Sequence, residues 1–544
     1  MPLLVPVRLA TQAPPVQLLH ALQRLATLTA ECVLAVAVGL IGARLMRRHR
    51  LHWSWAAVGA GLVALAHGPF GDAALPLALG LLFAAWRRRR LQRTDREDGI
   101  DPAADTLHGR TPRTLLAWLL VRSRGLVSGD ADRSQAGKLL LGYDECWNRV
   151  LVPFGGSAGG THTLVVGATG SGKTVTQSRI AVAAIASGMG AVVVDPKGDA
   201  GLREHLLGAA RASGRRFLEW TPEGPNVYNP LARGSETEVA DKALGSERFT
   251  EPHYLRQAQR YLGHEVRALH LAGEQVTLAA LVEYLDPANL EQLLRGLRGD
   301  LARASFAYLD SLGARQRADL AGARDRLAVL SESDAGAWLE PSTRAPARID
   351  LLSCARERAV VLFALRSDSR PLLSQMLAAA IVQDLQTVVA ASQARPVRML
   401  ALIDEFSAVA PEHIVRLFGR ARSAGISLVL GTQELADLRR SGRDPLAEQV
   451  IGNLSLLIAH RQVVPASAEL IAGFAGSTPG WRVSRHSGGA TTRTRTRHAL
   501  LQPSEVMRLG TGWAAVLALA PTQGAPVRIT RILPPGGPTR DCRR

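Results

Sequence analysis

The sequence predicts an α/β fold in which a largely parallel sheet is interrupted by an all-helical insertion and preceded by transmembrane helices. Three observations predict this arrangement. Two apolar regions lie within the first 95 residues. The glycine-rich motif GATGSGKT, at 167–174, stands between a strand-like run and a helix-like run. From Glu236 to Leu339 the composition shifts to Ala, Leu, Arg and Glu with helical periodicity.

The apolar regions near the N-terminus predict a membrane anchor. The first runs from Leu28 to Met46 and ends in the cluster RRHR, and the second runs from Trp53 to Trp86 and ends in RRRR. At ~1.5 Å per residue, the second region is too long for one helix across ~30 Å of hydrocarbon, so we expect a short helical hairpin with GPFGD, 68–72, as its turn. Both arginine clusters would then face the cytoplasm. A buried helical core is the alternative, and the arginine clusters at the ends of the apolar runs disfavour it.

The charge of the chain is consistent with a polyanionic partner. The formal net charge is +18, and only four of the 65 basic residues are lysine. Arginine enrichment from codon usage explains much of this charge, so charge alone is weak evidence for nucleic-acid binding. The four cysteines show no metal-ligand or disulfide spacing, which suits a reducing cytoplasm.

The motif at 167–174 predicts a nucleoside-triphosphate site. Its glycines let backbone N–H groups close around phosphates, Lys173 neutralises the β and γ oxygens, and Thr174 holds Mg²⁺. The flanking strand-like and helix-like runs supply the context that the motif requires. The predicted nucleotide-binding residues are Gly167, Ala168, Thr169, Gly170, Ser171, Gly172, Lys173 and Thr174.

Further runs around the motif predict the rest of the sheet. Lys138–Phe154 resembles a strand pair, Ala191–Asp199 is a buried strand that ends in a turn, and Arg216–Leu231 adds a short strand. The sheet resumes at Arg358–Leu365 and is followed by a helix near Pro371–Ala391. The predicted domains are an anchor with two or three transmembrane helices (1–95), a linker (96–137), the first part of the nucleotide-binding domain (138–235), an all-α domain (236–345), the second part of the nucleotide-binding domain (346–534) and a short tail (535–544).

A second candidate site follows the apolar run from Met399 to Ile403. Such a run predicts a buried strand, and it places Asp404 and Glu405 at the carboxyl end, where ligands bind in parallel sheets. Asp404 fits the carboxylate on the Mg²⁺ side of a nucleotide site. Glu405 fits the base that activates the attacking water. The alternative role for this pair is the N-cap of the helix that follows.

The run Ile426–Gln433 predicts a third strand that ends in polar residues. Gln433 fits a contact with a γ-phosphate or an orienting contact with water, and a helix cap is an equally good interpretation. Arg420 and Arg422 lie at the end of the preceding helix. They are either solvated cations near a helix C-terminus or residues that reach the nucleotide of a neighbouring subunit.

The segment Trp481–His498 predicts an irregular, mobile loop. It contains five arginines and no acidic residue, with Ser, Thr and Gly between them. Contact with nucleic acid and a simple solvated surface loop are both compatible with this composition. The arginines are Arg482, Arg485, Arg493, Arg495 and Arg497.

The order of these motifs resembles that of the type IV secretion coupling proteins of the TraD/TraG family, within the wider FtsK/HerA superfamily. The resemblance rests on GATGSGKT, VVVDPKGD, the helical insertion, ALIDEF and ISLVLGTQ, together with the apolar N-terminal region. It implies a RecA-like core, an all-α domain, ATP and Mg²⁺ as cofactors, and a membrane-anchored homo-hexamer that drives DNA export. It also implies DNA, relaxase or relaxosome proteins and secretion-channel components as partners.

The resemblance also assigns roles to single residues. Lys173 and Thr174 match the Walker A pair, and Asp404 and Glu405 match the Walker B pair. Gln433 then matches a polar sensor and Arg422 a candidate arginine finger, so that Glu405, Arg422 and Gln433 are the expected catalytic residues and Thr174 and Asp404 the expected metal ligands. Asp195 and Lys197 occupy the family's DPKG turn, and their role stays open.

Two departures from the family pattern are visible. The anchor lacks a sizeable periplasmic insert, and only PPGGPTRDCRR follows the last predicted strand, which puts docking through a long acidic tail in doubt. The expected function is a multi-pass inner-membrane ATPase, with its ATPase domain cytoplasmic, that delivers DNA and relaxosome cargo to a type IV secretion channel. The alternatives are a chromosome-translocating ATPase of the FtsK/HerA kind and a cargo receptor that does not hydrolyse ATP.

Overall fold

The structure is a computed structural model. It describes residues 14–48, 54–65, 74–97, 138–145, 148–154, 160–245, 251–340, 347–406, 411–435, 446–485, 491–519 and 526–536. The chain divides into two units, one formed by residues 1–128 with 478–498 and the other by residues 129–477 with 499–544. The predicted turn at 68–72 and residues 98–137 of the predicted linker lie outside the described residues.

Among the described residues, three helices lie in the N-terminal part of the first unit: α1 (Pro14–Arg48), α2 (Ser54–Leu65) and α3 (Ala74–Glu97). Helix α3 packs against both α1 and α2. The stretch Leu22–Leu45 of α1 is long and apolar enough to cross a membrane and is almost entirely exposed, whereas α2 and the apolar part of α3 are shorter. An apolar helix near the N-terminus is therefore present, as the sequence predicts.

An eleven-stranded sheet dominates the second unit, in the order β2-β1-β15-β14-β11-β3-β10-β9-β4-β8-β5. The strands from β11 to β5 in this order are parallel to their neighbours, and β14, β15, β1 and β2 extend the sheet with antiparallel pairs. The strands are β1 (Lys138–Asp144), β2 (Arg149–Pro153), β3 (His162–Val166), β4 (Gly190–Asp195), β5 (Phe217–Trp220), β8 (Val360–Ala364), β9 (Met399–Ile403), β10 (Ile426–Thr432), β11 (Leu456–Ala459), β14 (Trp513–Ala518) and β15 (Val527–Ile532).

The sequence forms this sheet because its inner strands are nearly continuous runs of Val, Leu, Ile and Ala. Every residue of β3, β4, β8, β9, β10 and β11 is buried, as expected for parallel strands with helices on both faces. The order β3-β10-β9-β4 brings the carboxyl ends of four strands to one edge. The predicted strands and the helix after β8 are thus confirmed, and the predicted motifs all follow strands of this group.

Helices account for the elements between Glu236 and Ser331. They are α6 (Glu236–Leu244), α7 (Pro252–Ala272), α8 (Leu278–Tyr284), α9 (Pro287–Arg295), α10 (Asp300–Asp310) and α11 (Ala314–Ser331). Sequence signals fix their starts: Ser235 forms a capping box with Glu238, and the side chains of Thr277 and Asp286 cap α8 and α9. The helical character of this segment agrees with the sequence, while the exact domain boundaries stay a prediction.

The remaining helices cover the sheet or connect its strands, and two short strands, β6 (Val227–Tyr228) and β7 (Arg348–Ile349), pair with each other. Helix α13, although apolar enough to pass as a membrane span, is a mostly buried helix of this core. These helices are α4 (Lys173–Ala186), α5 (Ala200–Ala212), α12 (Leu351–Glu357), α13 (Pro371–Ala391), α14 (Pro411–Ala421), α15 (Leu446–Gly452), α16 (Pro465–Ala475) and α17 (Pro503–Met507).

The prediction of an irregular loop at Trp481–His498 is wrong for most of this segment. Strands β12 (Ser477–Arg485) and β13 (Thr491–Ala499) form a two-stranded sheet, here called the arginine ribbon. The reason lies in the alternation TTRTRTR from Thr491 to Arg497, because β-branched threonines at every second position favour an extended strand. The signal of period two was present but the abundance of polar residues obscured it. Contact of this segment with nucleic acid stays a prediction.

Candidate nucleotide site

The glycine-rich loop connects β3 to α4, as the motif predicts. Gly170 and Gly172 have φ angles of 74° and 108°, in the left-handed region that glycine adopts without steric cost. The backbone N–H of Gly167 donates to the carbonyl oxygen of Thr432 at 3.2 Å, which ties the loop to the end of β10. The backbone N–H groups at the start of α4 therefore open toward the edge of the sheet where the strands end.

Lys173 is the first residue of α4, and its side chain is buried between two carboxylates. Its Nζ lies 2.6 Å from Oε1 of Glu405 and 3.3 Å from Oδ1 of Asp404. The predicted Walker A lysine and Walker B carboxylates, which are more than 200 residues apart in sequence, therefore meet in one cluster. The hydroxyl residue Thr174 follows in the first turn of α4 and is half-buried.

Asp404 and Glu405 directly follow β9. The backbone N–H of Asp404 donates to the carbonyl of Val194 on β4 at 3.0 Å, and its Oδ1 accepts a hydrogen bond of 2.7 Å from Nε2 of Gln177. Both carboxylates lie beside Lys173 at the start of α4. The alternative that they cap the next helix depends on residues 407–410, which lie outside the described residues.

Glu405 adopts an unusual backbone conformation. Its φ angle of 46° lies in the left-handed region, which costs a non-glycine residue about 1 kcal/mol or more. Burial raises the pKa of the Glu405 carboxyl, but the charges of Lys173 and Lys197 and their hydrogen bonds outweigh it, so the pKa lies below that of an ordinary glutamate. The group is therefore ionised at neutral pH.

The turn DPKG after β4 contributes a second cation to this site. Nζ of Lys197 lies 2.9 Å from the same Oε1 of Glu405. The carboxylate of Asp195 holds the turn, because it accepts hydrogen bonds from the backbone N–H groups of Lys197 at 2.9 Å and Asp199 at 2.6 Å. Burial, with a further contribution from Asp404, raises the pKa of Asp195. Sequence reasoning left this turn without a role, and the structure places Lys197 beside Glu405.

Gln433 lies at the end of β10 and connects two parts of the site. Its Nε2 donates to Oε1 of Glu405 at 3.1 Å, and its Oε1 accepts from the hydroxyl of Thr169 at 3.4 Å. The structure thus brings Gln433 to the glycine-rich loop and to Glu405, while its predicted contact with a γ-phosphate or with water stays a prediction. The alternative, that Gln433 caps a following helix, concerns residues 436–445, which lie outside the described residues.

Arg422 lies at the opposite edge of the sheet from these residues. Its Nη2 donates to the carbonyl of Asn453 and to Oγ of Ser455, each at 3.2 Å, near the amino ends of β10 and β11. The seven residues of β10 span about 23 Å at ~3.3 Å per residue. Arg422 is therefore not brought to the glycine-rich loop of its own chain.

Two residues that the sequence analysis missed complete the cluster. Gln177 lies four positions after Lys173 and so faces the same side of α4, where it binds Asp404. His460 is fully buried beneath the loop, with Nε2 2.8 Å from Oγ1 of Thr176 and Nδ1 3.0 Å from the carbonyl oxygen of Trp513. Its position directly after β11 is the signal that could have revealed it.

The protonation of His460 follows from its partners. A carbonyl oxygen can only accept, so Nδ1 carries the proton and Nε2 accepts from the hydroxyl of Thr176. Burial lowers the pKa of His460 to about 4, and the imidazole is neutral at physiological pH. His460 therefore supports the loop through hydrogen bonds without adding a charge.

The site has the donor and acceptor groups that a nucleotide with Mg²⁺ requires. The hydroxyl of Ser171 is buried and has no hydrogen-bond partner among the described residues. It lies in the glycine-rich loop two residues before Lys173, and a buried hydroxyl and backbone N–H groups of such a loop suit phosphate oxygens. The hydroxyl of Thr174 and the carboxylate of Asp404 are oxygen ligands of the kind that Mg²⁺ prefers.

Comparisons with known proteins agree with this geometry. Residues 398–511 match the family model described as the TraM recognition site of TraD and TraG. Among solved structures, the unbound monoclinic form of the bacterial conjugative coupling protein TrwBdeltaN70 is similar, with a TM-score of 0.57 and 18% identity over 74% of this chain and 90% of that chain. Among the curated proteins, none is detectably similar to this chain.

A second TrwB structure, in complex with ADP and Mg²⁺, matches with a TM-score of 0.52 and 19% identity over 68% of this chain and 85% of that chain. The structural similarity confirms the predicted α/β P-loop fold. The family match begins at Arg398 and includes the segment that carries Asp404, Glu405 and Gln433. Fold and family match together confirm that this chain resembles the TraD/TraG coupling proteins of type IV secretion.

Proposed function

We propose that this chain is an ATPase that couples ATP hydrolysis to the movement of DNA and acts as a coupling protein of conjugation. The observation that carries the proposal is the cluster of Lys173, Asp404 and Glu405 between a glycine-rich loop and the carboxyl ends of β3 and β9. Burying a lysine with two carboxylates costs desolvation free energy, so such a cluster is weak evidence for a purely structural role. It suits a site in which the same lysine binds the phosphates of a nucleotide.

The residues of the loop would hold ATP, and TrwB has been solved with a non-hydrolysable ATP analogue and with ADP and Mg²⁺. The backbone from Gly167 to Thr174 and the ammonium of Lys173 would bind the phosphates. The side chains of Thr174 and Asp404 would hold Mg²⁺, which when bound neutralises charge on the β and γ phosphates.

Residues around the phosphate-binding loop supply the general base and fix its orientation. Glu405 is ionised and buried, so its carboxylate can accept a proton from water. Gln433 and Lys197 both donate to Oε1 of Glu405 and fix the direction of that carboxylate. The neutral His460 holds the helix that presents Lys173. Gln433 thereby acts as the polar sensor between the phosphate loop and the base.

Arg422 contributes to hydrolysis in a neighbouring subunit. Its distance from the loop of its own chain is the reason, because an arginine at this edge can reach a nucleotide only across a subunit interface. A ring of identical subunits, a homo-hexamer by resemblance to the family, provides such interfaces.

The anchor places this motor at the inner membrane. Helix α1 contains an apolar stretch of 24 residues, and α2 and α3 pair with each other, which supports a multi-pass anchor with the ATPase part in the cytoplasm. The cargo is DNA with its relaxase or relaxosome proteins, and the receiving partner is a type IV secretion channel.

The test is ATP turnover by the purified chain in detergent. We expect Lys173→Ala to abolish hydrolysis, since the phosphates lose their counter-cation, while Lys138→Ala at the exposed start of β1 retains it. Turnover by the unaltered chain distinguishes an ATPase from a cargo receptor. A Lys173→Ala variant with normal turnover would remove the proposed site.

A further inference from the structure

Three arginines precede strands β5, β8 and β9 at the edge of the sheet opposite the nucleotide site. Arg215 stands two residues before β5, Arg358 two residues before β8 and Arg398 one residue before β9. The order β9-β4-β8-β5 is parallel throughout, so the amino ends of these strands meet at one edge. The three residues are here called the edge arginines.

The side chain of Arg215 reaches across this edge. Its Nη1 donates to the carbonyl oxygen of Arg358 at 3.1 Å. Its Nη2 lies 3.6 Å from the position that a Cβ of Gly188 would occupy, just before β4. Because Gly188 has no side chain and a φ of 94°, the guanidinium of Arg215 packs close to the backbone in front of β4.

The edge arginines carry positive charge that no carboxylate balances within the described part of the chain. None of the three forms an ion pair with a described Asp or Glu. By contrast, Nη1 of Arg216, the residue after Arg215, lies 3.7 Å from Oε2 of Glu357. The buried Nε of Arg215 has no hydrogen-bond partner among the described residues. Burial lowers the pKa of Arg215, and the charges of Arg358 and Arg398 lower it further.

We propose that the edge arginines bind phosphate groups of a nucleic-acid backbone. Guanidinium groups offer forked N–H donors that match phosphate oxygens, and Arg358 and Arg398 are exposed beside the partly buried Arg215. A phosphodiester would relieve the mutual repulsion and provide an acceptor for donors at this edge. This contact would depend on the charge of the DNA backbone and not on the base sequence. The inference rests on the proposed function in one respect, that DNA is the polymer this chain moves.

The experiment measures binding of a fluorescein-labelled DNA duplex to the detergent-solubilised chain by anisotropy across a salt series. The test variant is Arg215→Gln/Arg398→Gln, and the matched control is Arg256→Gln/Arg303→Gln, which removes the same charge from exposed positions on α7 and α10. Each lost phosphate contact reduces the log–log salt slope by about 0.9 on duplex DNA. We expect the slope to fall by about 1.8 in the test variant and to stay unchanged in the control.

Two further arms separate the explanations. Arg215→Lys/Arg398→Lys keeps the charge and should retain the slope of the unaltered chain. Inorganic phosphate, exchanged for chloride at equal ionic strength, should compete with DNA on the unaltered chain more than on the Gln variant. An unchanged slope in the Gln variant overturns the proposal, whether or not inorganic phosphate competes with DNA on the unaltered chain.

The outcome is independent of the ATPase assignment. ATP hydrolysis without DNA should be the same in the Gln variant and the unaltered chain, because the edge arginines lie at the opposite ends of the strands from Lys173. If the unaltered chain bound DNA but hydrolysed no ATP, the proposed function would fail while the salt-slope test of the edge arginines would still give an answer.

Discussion

Lys173 and Lys197, which reach the site from a helix and from a turn, donate to the same oxygen, Oε1 of Glu405, at 2.6 and 2.9 Å. Their combined charge more than offsets the burial of Glu405 and lowers its pKa. One lysine belongs to the phosphate-binding helix and the other to the turn after β4. The charge state of the base therefore depends on two elements at once.

Replacing Lys197 should shift the pH dependence of ATP turnover. In Lys197→Met, one of the two cations that lower the Glu405 pKa is gone, so this pKa rises. The ionised, active form is then lost at a higher pH as the solution is acidified, and the acidic limb of the kcat profile moves to higher pH. Lys138→Met is the control, and coincident acidic limbs would exclude this role for Lys197.

Glu405→Gln should bind ATP and turn it over slowly. The amide keeps the size of the side chain but cannot take a proton, and loss of a general base typically costs about 10²–10⁴-fold in rate. Nucleotide binding by a fluorescent ATP analogue should persist while kcat falls. Glu283→Gln, in α8, is the matched control, and normal turnover by Glu405→Gln would remove Glu405 from the mechanism.

Mixtures of two inactive variants should recover activity if Arg422 acts between subunits. Arg422→Ala retains an intact phosphate site, and Lys173→Ala retains the arginine, so each supplies what its neighbour lacks. Specific activity of the unaltered chain should also rise with protein concentration. Turnover by every mixture at or below that of the separate variants would argue against the contribution in trans.

Disrupting a buried ion pair should destabilise the base of the helical insertion. Lys242 is buried with its Nζ 3.1 Å from Oδ1 of Asp384, whose Oδ2 accepts from the hydroxyl of Tyr228 at 3.0 Å. Lys242→Met leaves the carboxylate buried without its cation and should cost about 3–5 kcal/mol. Thermal unfolding should show a lower midpoint than for Lys138→Met, whereas equal midpoints would mean that Asp384 finds another partner.

The arginine ribbon should contribute to DNA binding through the arginines of β13. Arg495 and Arg497 are separated by one residue of the strand, so they share one face, and Arg493 continues the same alternation in the sequence. Replacing all three with Ala should reduce the log–log salt slope on duplex DNA by at most about 2.7. Thr494→Val/Thr496→Val alters the opposite face without a change of charge, and a slope unaffected by the arginine substitutions would leave the ribbon without a DNA role.

Sequence reasoning succeeded where a buried strand ends in polar residues. Asp404, Glu405 and Gln433 were predicted because the carboxyl ends of parallel strands share an edge, and the structure brings them to the glycine-rich loop. The same rule applies to His460, which directly follows β11. It was missed because β11 is only four residues long and is not marked by a recognisable motif.

The local sequence does not predict contacts between residues that only the tertiary fold brings together. The contact of Lys197 with Glu405 depends on β4 and β9 being neighbours, which strand order decides and local sequence does not. The edge arginines are separated by up to 183 positions and become a group only because β5, β8 and β9 start at one edge. Sequence analysis also mistook the arginine ribbon for a loop, since its threonines signal an extended strand only through their alternation.

The pairing of β1 with β15 has a consequence for biosynthesis. Strand β1 lies between β2 and β15, so one of its two hydrogen-bonded neighbours is made almost 400 residues after it. A nascent chain on the ribosome therefore exposes one edge of β1 until Ile532 has emerged, and an exposed strand edge invites aggregation. Maturation of this protein depends on protecting that edge throughout translation, and a premature stop before Val527 would leave both β1 and β14 open to intermolecular pairing.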